Sequence, residues 1–159
     1  MTILSRSASH SAPRYWIGVV SDSHVQRGVT GGFCQLCHGK AAPLKRMQQG
    51  DWLIYYSPKY DMNRTEPYQA FTALGRVADN AIYQFAMTPD FIPWRRQIDY
   101  LSVTPAPIRP LLDQLDFIQD KQHWGAVFRH GYVEINQRDF LLISQALGVS
   151  CCLFLADPA

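Results

Sequence analysis

Tyr15-Trp16-Ile17-Gly18-Val19-Val20-Ser21, then Ser23-His24-Val25-Gln26-Arg27-Gly28-Val29, Gly31-Gly32-Phe33, and finally Gly50-Asp51-Trp52-Leu53-Ile54-Tyr55-Tyr56-Ser57-Pro58 is the stretch whose reading decides the fold. Its two ends are short, β-branched and aromatic, the pattern of buried strands. Between them lies a polar, glycine-rich segment carrying a His, an Arg and an aromatic. Small β-domains build pockets for flat ligands in this way. Apolar strands set the floor, small residues let the backbone come close, and aromatic faces accept a ring.

Asp22 or Ser23 caps a short helix over residues 24–29, which Gly31-Gly32 ends. Residues 40–47 form one or two turns that carry Leu44 and Met47 inward, with Pro43 near the start. Along residues 52–57, Trp52, Ile54 and Tyr56 share one face, and Leu53, Tyr55 and Ser57 the other. Aromatics on both faces imply a central strand, one side of which lines a site. Strands over 68–78 and 81–87, joined by an Asp79-Asn80 hairpin turn, precede another over 94–103.

Residues 110–117 read as a short helix with Pro first, 122–128 as a further turn, and Arg129-His130-Gly131 as a loop. The clearest helix covers 136–148. Asn136 caps it, Asp139 stands at its third position, Gly148 stops it, and Phe140, Ile143 and Leu147 face inward. Strands with helices at their ends and between them predict an α+β domain on a curled, barrel-like antiparallel sheet.

A chain of 159 residues, 47% hydrophobic, suffices for one domain with a real core and is too short for two. The domain is placed at 14–150, with a Ser-rich, disordered tail over 1–13 and a C-terminal tail over 151–159. The first tail lacks the apolar core of a secretory signal. No apolar run approaches the ~18 residues of a membrane span. The expectation is a cytoplasmic protein with four reduced thiols and no membrane association. A net charge of +2 permits a local basic groove without requiring one.

Cys34-Gln35-Leu36-Cys37-His38 spells a haem-attachment motif, whose chemistry is two thioethers and a His ligand to iron. Attachment of that kind needs export, so Cys34 and Cys37 read instead as small apolar fillers. A zinc site on these residues requires a further ligand from Cys151 or Cys152. A Cys/His hydrolase would pair Cys34 or Cys37 with His24, His38 or His130, but no nucleophile elbow and no orienting acid accompany them. Gly31-Gly32 lacks the Lys-Ser/Thr of a phosphate-binding loop. No catalytic residue, metal or cofactor is assigned.

The aromatics point further. Trp16, Phe33, Trp52, Tyr55, Tyr56, Trp94 and Trp124 lie in segments that a curled sheet brings together, although most aromatics are core. Phe33 follows two glycines in a loop, and Trp94 precedes Arg95-Arg96. An aromatic beside a basic pair suits base stacking with phosphate neutralised nearby.

Taken together, the Tyr15–Ser21 strand, the following helix, residues 40–47 with Gly50-Asp51, Tyr55-Tyr56-Ser57, and Trp94 ahead of Asp99 resemble an EVE domain from about Tyr15 to Leu147. The resemblance implies a PUA-like fold, similarity to the YTH domains that read methylated adenine in RNA, no catalysis, and a pocket for a nucleobase, modified in the usual case. It places Ser21, Ser23 and His24 at the base edge, and Gly32-Phe33 at the start of the aromatic cage. Cys34 takes the place of a small polar contact, and Trp94 resembles the Trp of a later strand. Tyr55, Tyr56 and Ser57 belong to the same pocket. Arg129, in Val127-Phe128-Arg129-His130-Gly131, resembles an arginine that holds phosphate. Apart from the resemblance, Lys40, Lys45, Arg46, Arg95 and Arg96 are candidate phosphate contacts, and salt would weaken binding through them. Two positions depart from the YTH pattern. Phe33 replaces a Trp, and Cys34 is a poor donor.

The partner implied is a single-stranded or flipped-base nucleic acid, DNA or RNA, whose base enters between aromatic faces. Two other readings stand beside it: a binder of a free, modified base or nucleotide, and a Cys/His-dependent enzyme on the same scaffold.

Overall fold

The structure is a computed structural model that describes residues 12–155. The expected tail over residues 1–11, and residues 156–159 of the other, lie outside the described residues. Strand β1 (Tyr15–Val19) enters the centre of a sheet. It pairs in parallel with β3 (Trp52–Lys59), Gly18 opposite Tyr55, and antiparallel with β7 (Tyr132–Ile135). β4 (Pro67–Gln84) runs antiparallel to β3, and β5 (Trp94–Tyr100) antiparallel to β4. The two-residue strands β2 (Phe33–Cys34) and β6 (Ala106–Pro107) add to β5 and β4. The path β2-β5-β4-β3-β1-β7 has two ends and does not close. The α+β expectation therefore holds, with one parallel pair within an otherwise antiparallel sheet and an open edge instead of a sealed barrel.

Alternation along β3 divides the interior in two. Trp52, Ile54 and Tyr56 join Ile17, Phe71, Phe128 and Phe140 in one core. Leu53 and Tyr55 join Trp16, Cys34, Leu36, Leu44, Val77 and Ile98 in the other. Each fully buried large apolar side chain contributes roughly 1.5–3 kcal/mol. Helix α3 (Gln137–Ala146) covers the first core with Phe140 and Ile143. The Asn136 side chain accepts from the Asp139 N–H as the sequence anticipates, a cap worth about 1 kcal/mol. Short 3₁₀ helices at Arg109–Gln114 and Trp124–Phe128 finish that layer. Helix α2 (Ala41–Arg46) sends Leu44 into the second core. Residues after 150 continue as a helical turn, α4 (Cys152–Leu155), and Phe154 packs edge-on against Trp52 at 4.7 Å.

The expected hairpin at Asp79-Asn80 is absent. β4 is one strand of 18 residues, and its register against β5 jumps between Val77 and Ile82. The extra residues bulge out. Asn80 exchanges hydrogen bonds with Gln49, and the Asp79 carbonyl accepts from Arg96 at 2.7 Å. Turn-forming residues here make an insertion within a ladder, which sequence alone does not distinguish from a hairpin. Among the described residues no helix is long and apolar enough to cross a membrane.

Candidate functional site

Helix α1 (Asp22–Gly31) begins where β1 ends, and Gly32 closes it in the left-handed region at φ 72°. Ser21 stands at its N-cap. The Ser21 carbonyl accepts from the His24 and Val25 N–H groups, but its hydroxyl makes no cap bond and has no partner among the described residues. A serine at this position ordinarily spends its hydroxyl on the helix end. Here the oxygen is free, and Ser21 is only 9% exposed.

Ser21 lines a cleft of about 700 Å³. Phe33, Tyr55, Phe91, Met62 and Met87 supply apolar surface, and Gly39 and Gly131 also line it. Arg27, Lys40, Lys59, Arg95 and Arg129 line it together with His24, His38 and His130, and among the described residues no carboxylate does, Asp61 lying just outside within electrostatic reach of His24 and Arg27. An anionic ligand is favoured there even though the whole chain is nearly neutral.

The walls are tied together. The Gln35 N–H donates to the Tyr55 hydroxyl at 3.2 Å, and the Tyr100 hydroxyl donates to the Phe33 carbonyl at 2.8 Å. Burial pushes both tyrosine hydroxyls well above the ordinary range, so they stay neutral. Cys37, His38 and Gly39 occupy the left-handed region in succession, at φ 50°, 59° and 80°. The Cys37 thiol donates to the His130 carbonyl at 3.3 Å, tying this turn to the loop of Arg129. The haem-like motif is thus the strained edge of a cleft. Among the described residues no three His, Cys, Asp or Glu side chains gather to hold a metal ion.

Arg95 is the least expected feature. Its guanidinium lies 3.8 Å from the Phe33 ring centre and 4.1 Å from that of Phe85. Its Nε donates to Gln35 Oε1 at 3.2 Å. Burial lowers its pKa from the ordinary value. Phe33 is therefore not a bare platform. Arg95 packs against its ring, and the ring also leans on Gly31, where an added Cβ would come within 2.5 Å of it.

Of the residues expected in the site, the cleft gathers Ser21, His24, Phe33, Tyr55, Lys40, Arg95 and Arg129. The others lie outside it. Ser23 donates its N–H to the Tyr60 carbonyl and lines a shallow depression on α1. Cys34 is fully buried in the second core, its thiol pushed up to about 12 by burial. Tyr56 points to the opposite core and stacks on Phe128 at 4.2 Å. Ser57 is fully buried, its hydroxyl 2.8 Å from that of Thr72. Trp94 packs against the second core, and no tryptophan lines the cleft.

Arg96 is 3% exposed and donates to the carbonyls of Leu44, Met47 and Asp79 at 2.7–2.9 Å. It ties α2 to the β4 bulge and has no surface to offer phosphate. Strand alternation separates the two arginines, sending Arg95 to the cleft and Arg96 inward.

Arg27, Gln35, Lys59 and Phe91 line the cleft without a signal in the sequence that marks them as site residues. Gln35 sits inside the haem-like motif, which hides its role as the anchor of Arg95. Arg27 is five residues past the start of α1, a spacing that puts it near the same helix face as His24.

A family model described as the EVE domain matches residues 14–146. A UPF0310 protein of Mycobacterium avium is 52% identical over 132 residues, covering 83% of this chain and 96% of that one. The UPF0310 protein YdcG of Bacillus subtilis is 48% identical over 136 residues, covering 86% and 93%. Neither name states an activity. The crystal structure of a protein from Agrobacterium tumefaciens superposes with a TM-score of 0.52 at 12% identity, covering 87% of this chain and 95% of that one. An NMR structure from Rhodopseudomonas palustris does so with a TM-score of 0.51 at 14% identity, covering 91% and 96%. At such identity these two share the fold.

Proposed function

This chain belongs to the EVE domain family, and from that premise we propose that it is a non-catalytic nucleic-acid-binding module whose cleft takes up a single nucleobase. The observation that carries the reading is the lining of the cleft. Five cations and three histidines surround an aromatic and apolar floor, and among the described residues no carboxylate lines it. Apolar floor and ring faces suit a base, and the rim cations suit its phosphates. The volume, about 700 Å³, lies within the range of small-molecule and cofactor sites.

Recognition is passive. A base from a single strand, or one flipped from a duplex, enters past the exposed Arg27, Lys40 and Arg129. Its polar edge meets Ser21 and His24, and its flat face meets the ring of Phe91, which is 38% exposed where Tyr55 is closed into the second core. A methyl group on the base, seated against Met62 or Met87, would add about 0.8 kcal/mol. A cysteine nucleophile finds no support here, because Cys34 is buried and protonated and burial raises Cys37 as well.

The test is fluorescence anisotropy of labelled short single strands carrying each base or its methylated form, at low and high salt. Binding that weakens steeply with salt and varies with the central base supports the reading. Binding to free bases or nucleotides but to no strand moves the function to a small ring-shaped ligand in the same cleft.

A further inference from the structure

Arg95 is a cation without a counter-charge. It is 7% exposed, and none of the ion pairs among the described residues includes it. Its packing against Phe33 and Phe85 and its Nε bond to Gln35 fix the plane of the guanidinium. The two terminal nitrogens are left without a hydrogen-bond partner among the described residues. An arginine fork held in this way is preorganised for two adjacent acceptors lying in its own plane.

A backbone phosphate offers two oxygens, but two observations favour a base. The first is depth. Arg27, Lys40 and Arg129 are exposed members of the cleft, whereas Arg95 is buried within it. The rim cations meet the strand first, and Arg95 meets what enters. The second is Ser21, whose nine-tenths-buried hydroxyl lines the same cleft without a partner. A hydroxyl that both donates and accepts matches the mixed edge of a base better than a phosphate, which only accepts. Two adjacent acceptors occur on guanine, O6 and N7, and on cytosine, N3 and O2. The cytosine pair uses up most of that base's one polar edge, whereas guanine keeps its N1–H and 2-amino group for a second partner such as Ser21, and arginine forks most often onto O6 and N7.

We propose that the base taken into this cleft is guanine or a guanine derivative, read on its O6/N7 edge by the Arg95 fork, with the Ser21 hydroxyl meeting a second polar edge. This rests on the nucleic-acid reading of the cleft given above.

The test titrates the full chain with labelled short strands that differ at one central nucleotide: guanine, 7-deazaguanine, adenine or cytosine. The deaza base keeps O6 and lacks the N7 acceptor. Guanine is expected to bind about tenfold more tightly than 7-deazaguanine and more tightly than the other two bases. Arg95→Lys keeps the charge but not the fork. It is expected to bring guanine and 7-deazaguanine within about twofold while leaving the salt dependence in place. The deaza comparison uses the unaltered protein, so it stands whether or not the variant folds.

Equal binding of guanine and 7-deazaguanine, or a guanine preference that persists in folded Arg95→Lys, overturns the proposal. Preference for another base also overturns it while leaving the nucleic-acid reading intact. Failure to bind any strand removes that reading and the proposal with it.

Discussion

The Arg95 guanidinium rests 3.8 Å from the ring centre of Phe33 and 4.1 Å from that of Phe85. One of these rings lines the cleft and the other does not; Phe85 is 50% exposed at the end of β4. A side chain outside the cleft therefore holds a group inside it.

Phe85→Ala removes one of the two rings against Arg95 without touching the cleft wall. Cation–π contacts of this kind contribute about 0.5–2 kcal/mol. The expected outcome is strand binding weakened by about fivefold, with a change of under about 1 kcal/mol in stability, as for other exposed positions. Unchanged affinity in a titration would show that Arg95 needs no such support.

The neighbouring arginines separate by function. Arg96→Ala orphans three carbonyls and is expected to cost about 3 kcal/mol of stability in denaturant unfolding. Arg129→Ala, at an exposed position, is expected to leave stability unchanged. It should also make the dependence of log affinity on log salt shallower by about one. A stable Arg96→Ala protein would contradict its placement as an internal tie.

Gly39 holds the turn at the cleft edge. Its φ of 80° is strained for any residue with a Cβ, and that atom would stand 2.2 Å from Pro93 Cβ. Gly39→Ala is expected to destabilise by about 2–4 kcal/mol and to weaken ligand binding, because the turn and the Pro93 segment must separate. Thermal unfolding checks the first effect. A variant as stable as the parent would show that this edge yields easily.

Cys34 makes stability depend on alkaline pH. Burial raises its thiol from the ordinary 9 to about 12. The unfolded chain loses that proton first, so stability is held below pH 9 and falls as pH rises toward 12. Cys34→Ala is expected to flatten the fall in thermal midpoint across that window. Mass spectrometry after brief iodoacetamide treatment of the native protein is expected to leave Cys34 unmodified. Prompt alkylation at Cys34 would contradict its burial.

Much of the scaffold was legible in the chain. The alternation of Trp52, Ile54 and Tyr56 with Leu53 and Tyr55 divides the two cores as read, and Asn136 caps α3. What failed was long-range. Asp79-Asn80 has turn chemistry, but its partners at Gln49 and Arg96 are distant in sequence and turn it into a bulge. Arg95 and Arg96 look equivalent as a pair, and only strand alternation and burial separate them. Tyr56, Ser57 and Trp94 are the residue types a base pocket needs, and the core claims all three. Gln35 and Phe85 have no local signal at all, because their importance is their contact with Arg95.

The most direct test of the central claim maps where a strand binds. Isotope-labelled protein titrated with a short single strand would be followed by NMR through its backbone amides and the Arg95 side-chain Nε–H. The account predicts shifts at Ser21 to His24, at Phe33 to Lys40, at Arg129 to Gly131 and at Arg95 Nε. Shifts confined to another surface, such as the stack of exposed Tyr60 on half-buried Tyr68, or no shifts at saturating strand, would contradict it.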